Sequence, residues 1–343
     1  MFGHLSEINK TKNNDHLLNV NKMKIQELFR QNIISLAKQP KNNDLDIEDL
    51  TKYNLLLIPI DHDYPGGSAT MHNAVFEKFL PNYRTVFVVS DPNNAELIFE
   101  TFRNDPSYVG GGVGSGFKDK AIKYVDELND SARVAGSINV IKKVGNKLVG
   151  YNTDGVGFLK GLITEYPDAV KNKNIVLLGA GGTALPIAYE LAKSKPKQIT
   201  ILNRTVSKAE HISKLISSYA NTTFSGEEDI AKYLQNADLV VNTSNKGAEP
   251  FKKYSAFGPI TNDFEEDERI AKQNLSKLPK NAIVADIILE DFSKTLEFAQ
   301  QAGYKIHNGK SMNLYQAVPA LKIMAPLNNV DEQTLEIIMR DAL

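Results

Sequence analysis

The sequence predicts an α/β protein built as two domains, and three observations predict it. Short apolar runs of strand length alternate with helical stripes from Leu55 onward. The small-residue turn Gly179-Ala180-Gly181-Gly182-Thr183-Ala184 stands directly between one such run and one such stripe. The chain has 343 residues, which is two domains at roughly 100–200 residues each. Composition excludes other classes. A formal net charge of −1 argues against a general nucleic-acid binder, which carries a basic excess. No run nears the ~18 apolar residues of a membrane span, and the opening MFGHLSEINK lacks a signal core. There is no cysteine, which rules out a disulfide scaffold, a cysteine–zinc site and thiol catalysis. No metal site is expected. The expectation is a cytoplasmic protein, monomer or homodimer, that takes a small-molecule substrate.

Residues 1–52 read as an N-terminal extension in which Asn and Lys recur. Within it Ile25, Leu28, Phe29, Ile33, Ile34 and Leu36 fall near helical spacing, predicting one amphipathic helix docked on a solvated arm. Leu55–Ile60 is a buried strand, ended by Asp61 and a turn-rich stretch. Met71, Val75, Phe79 and Leu80 mark a helix over 70–80. Thr85–Val89 is a strand, Ala95–Arg103 a helix, and Tyr108-Val109 the start of a short strand before a glycine cluster. Lys118–Asp130 reads as a helix with Ala121, Ile122, Val125 and Leu128 on one face. This alternation implies a mostly parallel sheet. A second α/β unit begins near 155. Its helices are expected at Gly155–Leu162, Leu185–Lys193, Lys208–Ser217 and Lys294–Ala302. Its strands are expected at Asn174–Gly179, Gln198–Leu202, Leu239–Asn242, Ala282–Ile287 and Lys305–His307. The acid run Glu265–Glu268 reads as a solvated loop and helix face. Met312–Ala325 and Asp331–Ala342 are the last two helices.

The glycine turn carries the first chemistry. Small residues let a backbone approach a pyrophosphate, and the helix N-terminus that follows offers N–H groups and a positive dipole end. The spacing G-x-G-G-x-A is a variant of the dinucleotide fingerprint, in the strand–turn–helix context that gives it meaning. The next strand ends in Leu202-Asn203-Arg204-Thr205, without the acid that would bond a ribose 2′-OH. Arg204, with Lys208 a turn later, suits a phosphate there instead. The cofactor expected is therefore NADP, held by Gly179, Ala180, Gly181, Gly182, Thr183, Ala184, Asn203, Arg204, Thr205 and Lys208. Hydride chemistry on a keto or hydroxy compound also needs a proton carrier. Phe117-Lys118-Asp119 and Asn152-Thr153-Asp154-Gly155 offer candidates, Lys118 and Asp154.

From about Ile58 onward the chain resembles the shikimate dehydrogenase family. Gly136-Ser137-Ile138-Asn139 is similar to its G-A-V-N, and Gly150-Tyr151-Asn152-Thr153-Asp154-Gly155 to its G-Y-N-T-D-G. The glycine turn with Asn203-Arg204-Thr205, the stretch Asn242-Thr243-Ser244 with Gly247, and Gly309-x-x-Met312 with Gln316 follow in the same order. The resemblance implies an N-terminal α/β substrate domain, a Rossmann NADP domain and a cleft between them. It places the substrate domain at 53–153 plus 312–343 and the NADP-binding domain at 154–311. It implies reversible reduction of 3-dehydroshikimate or a related cyclic keto compound. It makes Lys118 the acid/base lysine with Asp154 as partner, and Ser68, Asn139 and Gln316 substrate binders. It adds Thr243, Ser244, Ile287 and Gly309 to the cofactor site. The chain departs from the family pattern where hydroxyls are expected. Gly66, Gly114 and Leu289 replace a serine, a threonine and a tyrosine, and Ala69 replaces a proline. Each hydrogen bond lost to a charged group removes about 1.5–3 kcal/mol, so carboxylate recognition is expected to be altered. A different substrate, or a non-catalytic NADP-binding regulator, are the alternative readings.

Overall fold

A computed structural model describes residues 23–38, 45–63, 66–289 and 292–343. Residues 1–22 and 39–44 of the expected extension lie outside them. The chain divides into two compact units. One holds the described residues up to Arg133, Ser137–Asn152 and Val318–Leu343; the other holds Val134–Gly136 and Thr153–Ala317. Among the described residues no helix is long and apolar enough to cross a membrane.

The first unit opens with α1 (Ile25–Arg30) and β1 (Ser35–Leu36). The single helix expected across 25–36 is thus a helix, a turn and a strand. The chain reverses at Asn32, whose φ of 55° lies in the left-handed region, and β1 then pairs antiparallel with β3 (Tyr83–Val89). Ile25, Leu28 and Ile34 are fully buried in the unit's core, as is Leu50. β2 (Asn54–Ile60) is apolar along its length because it is central, parallel to β3 on one side and β4 (Tyr108–Gly112) on the other. Between them run α2 (Gly67–Phe79) and α3 (Ala95–Asn104). His72 and Asn73 of α2 tie the helix to β3. Asn73 Nδ2 donates to the Thr85 carbonyl at 3.0 Å and its Oδ1 accepts the Thr85 N–H at 2.8 Å.

The helix expected at 118–130 is also shorter. α4 spans only Lys118–Ala121, and β5 (Glu127–Leu128) follows, before α5 (Asp130–Ala135). Tertiary bonds override the helical periodicity here. Asp126 accepts the Leu148 N–H at 2.7 Å and the Arg103 Nε–H at 3.2 Å, drawing its segment to the sheet. β6 (Val140–Val144) and β7 (Lys147–Tyr151) form an antiparallel hairpin across Gly145-Asn146. Among the described residues, seven strands lie in the order β1-β3-β2-β4-β6-β7-β5.

The second unit holds α6 (Asp154–Glu165), β8 (Asn174–Leu178), α7 (Ala184–Lys193), β9 (Gln198–Leu202), α8 (Val206–Ile216), β10 (Thr222–Ser225), α9 (Ile230–Leu234), β11 (Leu239–Asn242), α10 (Phe264–Leu275), β12 (Ile283–Asp286), α11 (Lys294–Gln301) and β13 (Lys305–His307). Then come α12 (Lys310–Met324), shared between the units by its residue ranges, and α13 (Glu332–Asp341) in the first unit. The six strands are all parallel, in the order β10-β9-β8-β11-β12-β13. Alternate residues feed two cores. Ile175, Leu177, Ile199, Ile201 and Val241 pack with Ile187 and Leu191 of α7. Val176, Leu178, Val240 and Val284 pack with Leu234, Leu275 and Leu296. The strand order reverses between β8 and β11, and in a doubly wound sheet the crevice at that point, beyond the strand C-termini, is where ligands bind.

Candidate functional site

The glycine turn lies at this reversal. Gly179 has φ +116°, a conformation that suits glycine, and a Cβ on it would stand 2.7 Å from the Ser244 nitrogen. Around Gly182 nothing lies within 4 Å of where a Cβ would be, so the turn presents open backbone at the start of α7. The Ala180 N–H donates to Asn203 Oδ1 at 3.0 Å, which joins the turn to the end of β9. A pocket of about 540 Å³ opens here. It brings together Gly179, Ala180, Gly181, Asn203, Arg204, Thr205, Lys208, Thr243 and Ser244. Gly182, Thr183, Ala184, Ile287 and Gly309 are not in its lining. Ile287 and Gly309 meet each other nearby in the sheet. A Cβ on Gly309 would lie 2.5 Å from the Ile287 carbonyl oxygen.

The wall formed by residues 243–246 is held from below. Asn242 and Asp286 end adjacent strands in register. Asn242 Nδ2 donates to the Lys246 carbonyl at 2.9 Å and to both Asp286 oxygens at 3.0 Å, while its Oδ1 accepts from Ser244 N and Oγ. Asp286 also accepts from Ser293 Oγ and the Ile288 N–H. Burial pushes the Asp286 carboxyl up to about 6 against these donors. A carboxyl whose folded value lies above its unfolded one holds its proton more tightly when folded. Its contribution is therefore greatest below pH 4 and declines as pH rises to 6. Asp286→Asn removes that titration. Relative to the variant, the wild-type protein should lose about 2–3 kcal/mol between pH 4 and pH 7, measured by urea unfolding. Parallel curves for the two proteins would refute the effect.

α6 carries Asp154 at its start, buried, with Thr153 before it. Its glycines let α12 close on it. A Cβ on Gly157 would lie 2.6 Å from the Gln316 nitrogen, and one on Gly161 2.5 Å from Ser311 Oγ. Thr153 Oγ1 donates to Gln316 Oε1 at 3.3 Å, so Thr153, Asp154 and Gln316 occupy one end of this packed pair. The other end is braced by His307, which is 2.7 Å from Glu165 Oε2 through Nδ1 and 3.1 Å from Ser311 Oγ through Nε2.

In the first unit, Lys118 opens α4 and is half-buried behind the fully buried Phe117. Asn139 is buried just before β6; its N–H bonds the Tyr151 carbonyl at 3.1 Å and its carbonyl accepts the Val113 N–H at 2.8 Å. Ser68 lies in the first turn of α2. The positions short of hydroxyls are closed by their neighbours. A Cβ on Gly114 would stand 2.3 Å from Ile60 Cγ2 and 2.9 Å from the Pro59 carbonyl oxygen. One on Gly66 would stand 2.6 Å from Phe87 Cζ.

Comparison with known proteins decides the family. The model described as Shikimate dehydrogenase substrate binding domain matches residues 59–141, and that described as Shikimate / quinate 5-dehydrogenase matches 162–257. Shikimate dehydrogenase (NADP(+)) of Methanocaldococcus jannaschii is 34% identical over 271 residues, 77% of this chain and 88% of that protein. The same-named protein of Methanococcus maripaludis is 32% identical over 272 residues, with the same coverage. The chain belongs to the shikimate dehydrogenase family. A crystal structure of shikimate dehydrogenase in complex with NADP+ matches with a TM-score of 0.69 at 28% identity, over 85% of this chain and 96% of that one. The Listeria monocytogenes shikimate 5-dehydrogenase, solved with shikimate and NAD, matches over 85% of this chain and 96% of that one. Its TM-score is 0.71 at 23% identity, a likeness of fold.

Within this chain, the two matched stretches include Ser68, Lys118 and Asn139, then the glycine turn, Arg204 and Thr243-Ser244; Asp154, Gln316 and Gly309 fall outside them. The pocket also contains residues that the sequence reading missed: Glu227, Asn245, Lys246, Phe251, Pro259 and Ile260. Lys246 is buried and donates to Glu227 Oε2 at 3.0 Å and to the Gly258 carbonyl at 2.7 Å. Its signal was present, because it continues the Asn242-Thr243-Ser244 stretch. Glu227 follows β10, a half-exposed edge strand that the sequence reading did not find.

Proposed function

We propose that this family member is an NADP-dependent dehydrogenase that interconverts a ring ketone and a ring alcohol, acting on 3-dehydroshikimate or a related cyclic compound. The observation that carries the reading is the pocket itself. The backbone of Gly179–Gly181, just ahead of α7 in the chain, and two exposed cations, Arg204 and Lys208, meet in it, and no acid stands at the end of β9. That set suits a dinucleotide with an extra phosphate on its adenosine ribose. The curated relatives named as NADP(+)-dependent agree with it. When bound, the cofactor supplies or accepts the hydride.

The protein's residues do the rest. The turn from Gly179 to Ala184 would take the pyrophosphate, with the Ala180 N–H kept on Asn203, and Asn203, Arg204, Thr205 and Lys208 would hold the ribose phosphate. Thr243, Ser244, Ile287 and Gly309 would hold the nicotinamide end. Lys118 gives a proton to the carbonyl oxygen during reduction and takes it back during oxidation. Asp154 is the partner that the family resemblance assigns to that lysine. Ser68, Asn139 and Gln316 bind ring hydroxyls. The test is NADPH oxidation by the full chain with a panel of cyclic ketones that includes 3-dehydroshikimate. NADPH should be consumed with at least one of them, and NADH more slowly. No turnover with any of them overturns the reading, and tight NADP+ binding alongside would assign a non-catalytic cofactor-binding regulator.

A further inference from the structure

We infer that Asp61 sets the substrate class of this site, disfavouring a ring carboxylate and selecting a neutral ring rich in hydroxyls. The inference rests on the dehydrogenase reading above, in which the substrate lies against Lys118.

Asp61 directly follows β2. Its N–H donates to the Ser115 carbonyl at 3.2 Å, and its carboxylate accepts from the Ser115 hydroxyl and from His62 Nδ1, the latter at 2.6 Å. The side chain presses on the loop after β4, since a Cβ on Gly116 would stand 2.5 Å from Asp61 Oδ2. That loop runs through Phe117 straight into Lys118, two residues on. The Asp61 side chain keeps 33% of its surface exposed, so a bound molecule can reach it.

The bonds from His62 and Ser115 hold this carboxyl below the usual carboxylate range despite partial burial. It is an anion at neutral pH, and an ionised carboxylate only accepts hydrogen bonds. A ligand carboxylate would meet a like charge, whereas ring hydroxyls would find an acceptor. Gly114 and Gly66 have no side chain to offer a neutral donor. Ile60, the Pro59 carbonyl and Phe87 already fill the space that a side chain at either position would need.

The experiment compares 3-dehydroshikimate with its methyl ester, which has the same ring and ketone without the charge. Both are assayed with NADPH on the full chain. The ester should show a kcat/KM at least about tenfold above that of the acid, the scale of a like-charge repulsion in a partly buried site. Asp61→Asn keeps the size and removes the charge, and should narrow that ratio by about tenfold through a gain for the acid. Asp61→Ser serves as the second variant should the first lose stability in thermal unfolding. A wild-type preference for the acid, or a ratio that neither variant moves, overturns the inference. Failure of the dehydrogenase reading looks different: neither compound is reduced although calorimetry shows NADPH bound, and the inference then falls with it.

Discussion

Replacing Lys118 with alanine lowers kcat by about 10²–10⁴-fold, the usual contribution of a positioned acid or base, and leaves the NADP+ dissociation constant unchanged. The two effects separate because the residues lie in different parts of the chain. Lys118 opens α4 in the first unit, on a loop anchored by the buried Phe117. Every residue lining the 540 Å³ pocket belongs to the second unit. Lys118→Arg should not restore turnover. A guanidinium keeps its proton far above physiological pH and cannot pass it to an alkoxide and recover it. Steady-state kinetics with calorimetric titration of the cofactor checks both points. An unchanged kcat would remove Lys118 from the reaction.

Replacing Arg204 with alanine weakens NADP+ binding by roughly 10–150-fold, the loss of a charge-assisted hydrogen bond of about 1.5–3 kcal/mol. NAD+ binding should stay as it was. Arg204 is exposed at the rim of the pocket, at the end of β9, with Asn203 beside it holding the glycine turn through Ala180. Removing the guanidinium therefore removes a phosphate contact without loosening the turn. Titration of both dinucleotides into the wild-type and variant proteins gives the answer. An equal loss for the two cofactors would place Arg204 away from the extra phosphate.

What could be read in the sequence was what is local. The strand Asn174–Leu178, the glycine turn and α7 are contiguous, and each makes its own signal. The doubly buried strands β8 and β11 read as unbroken apolar runs, Ile175–Leu178 and Leu239–Val241, for the same reason. The hairpin of β6 and β7 was passed over although Gly145-Asn146 is a two-residue hairpin turn. Lys142 and Lys143 interrupt the apolar pattern of β6 and remove its strand signal. The helix expected over 118–130 failed because a correct stripe of Ala121, Ile122, Val125 and Leu128 was outweighed by bonds to a strand 22 residues away in sequence. The site followed the same rule. Gly179–Gly181, Asn203 and Arg204 were found where motif and pocket coincide, whereas Glu227 joins only through a long-range bond to Lys246.

The division of the chain has a consequence for synthesis. The second unit is almost one continuous stretch, and all six of its strands precede residue 308. The first unit needs Val318–Leu343, and α13 packs on α2 with Leu335, Ile338 and Met339 buried. A ribosome therefore releases the parts of the cofactor fold before those of the fold that began first. Until the last helix emerges, α2 lacks its covering and exposes apolar surface, the state in which nascent chains aggregate. Chaperone demand should fall on the earliest part of the protein, for want of its latest.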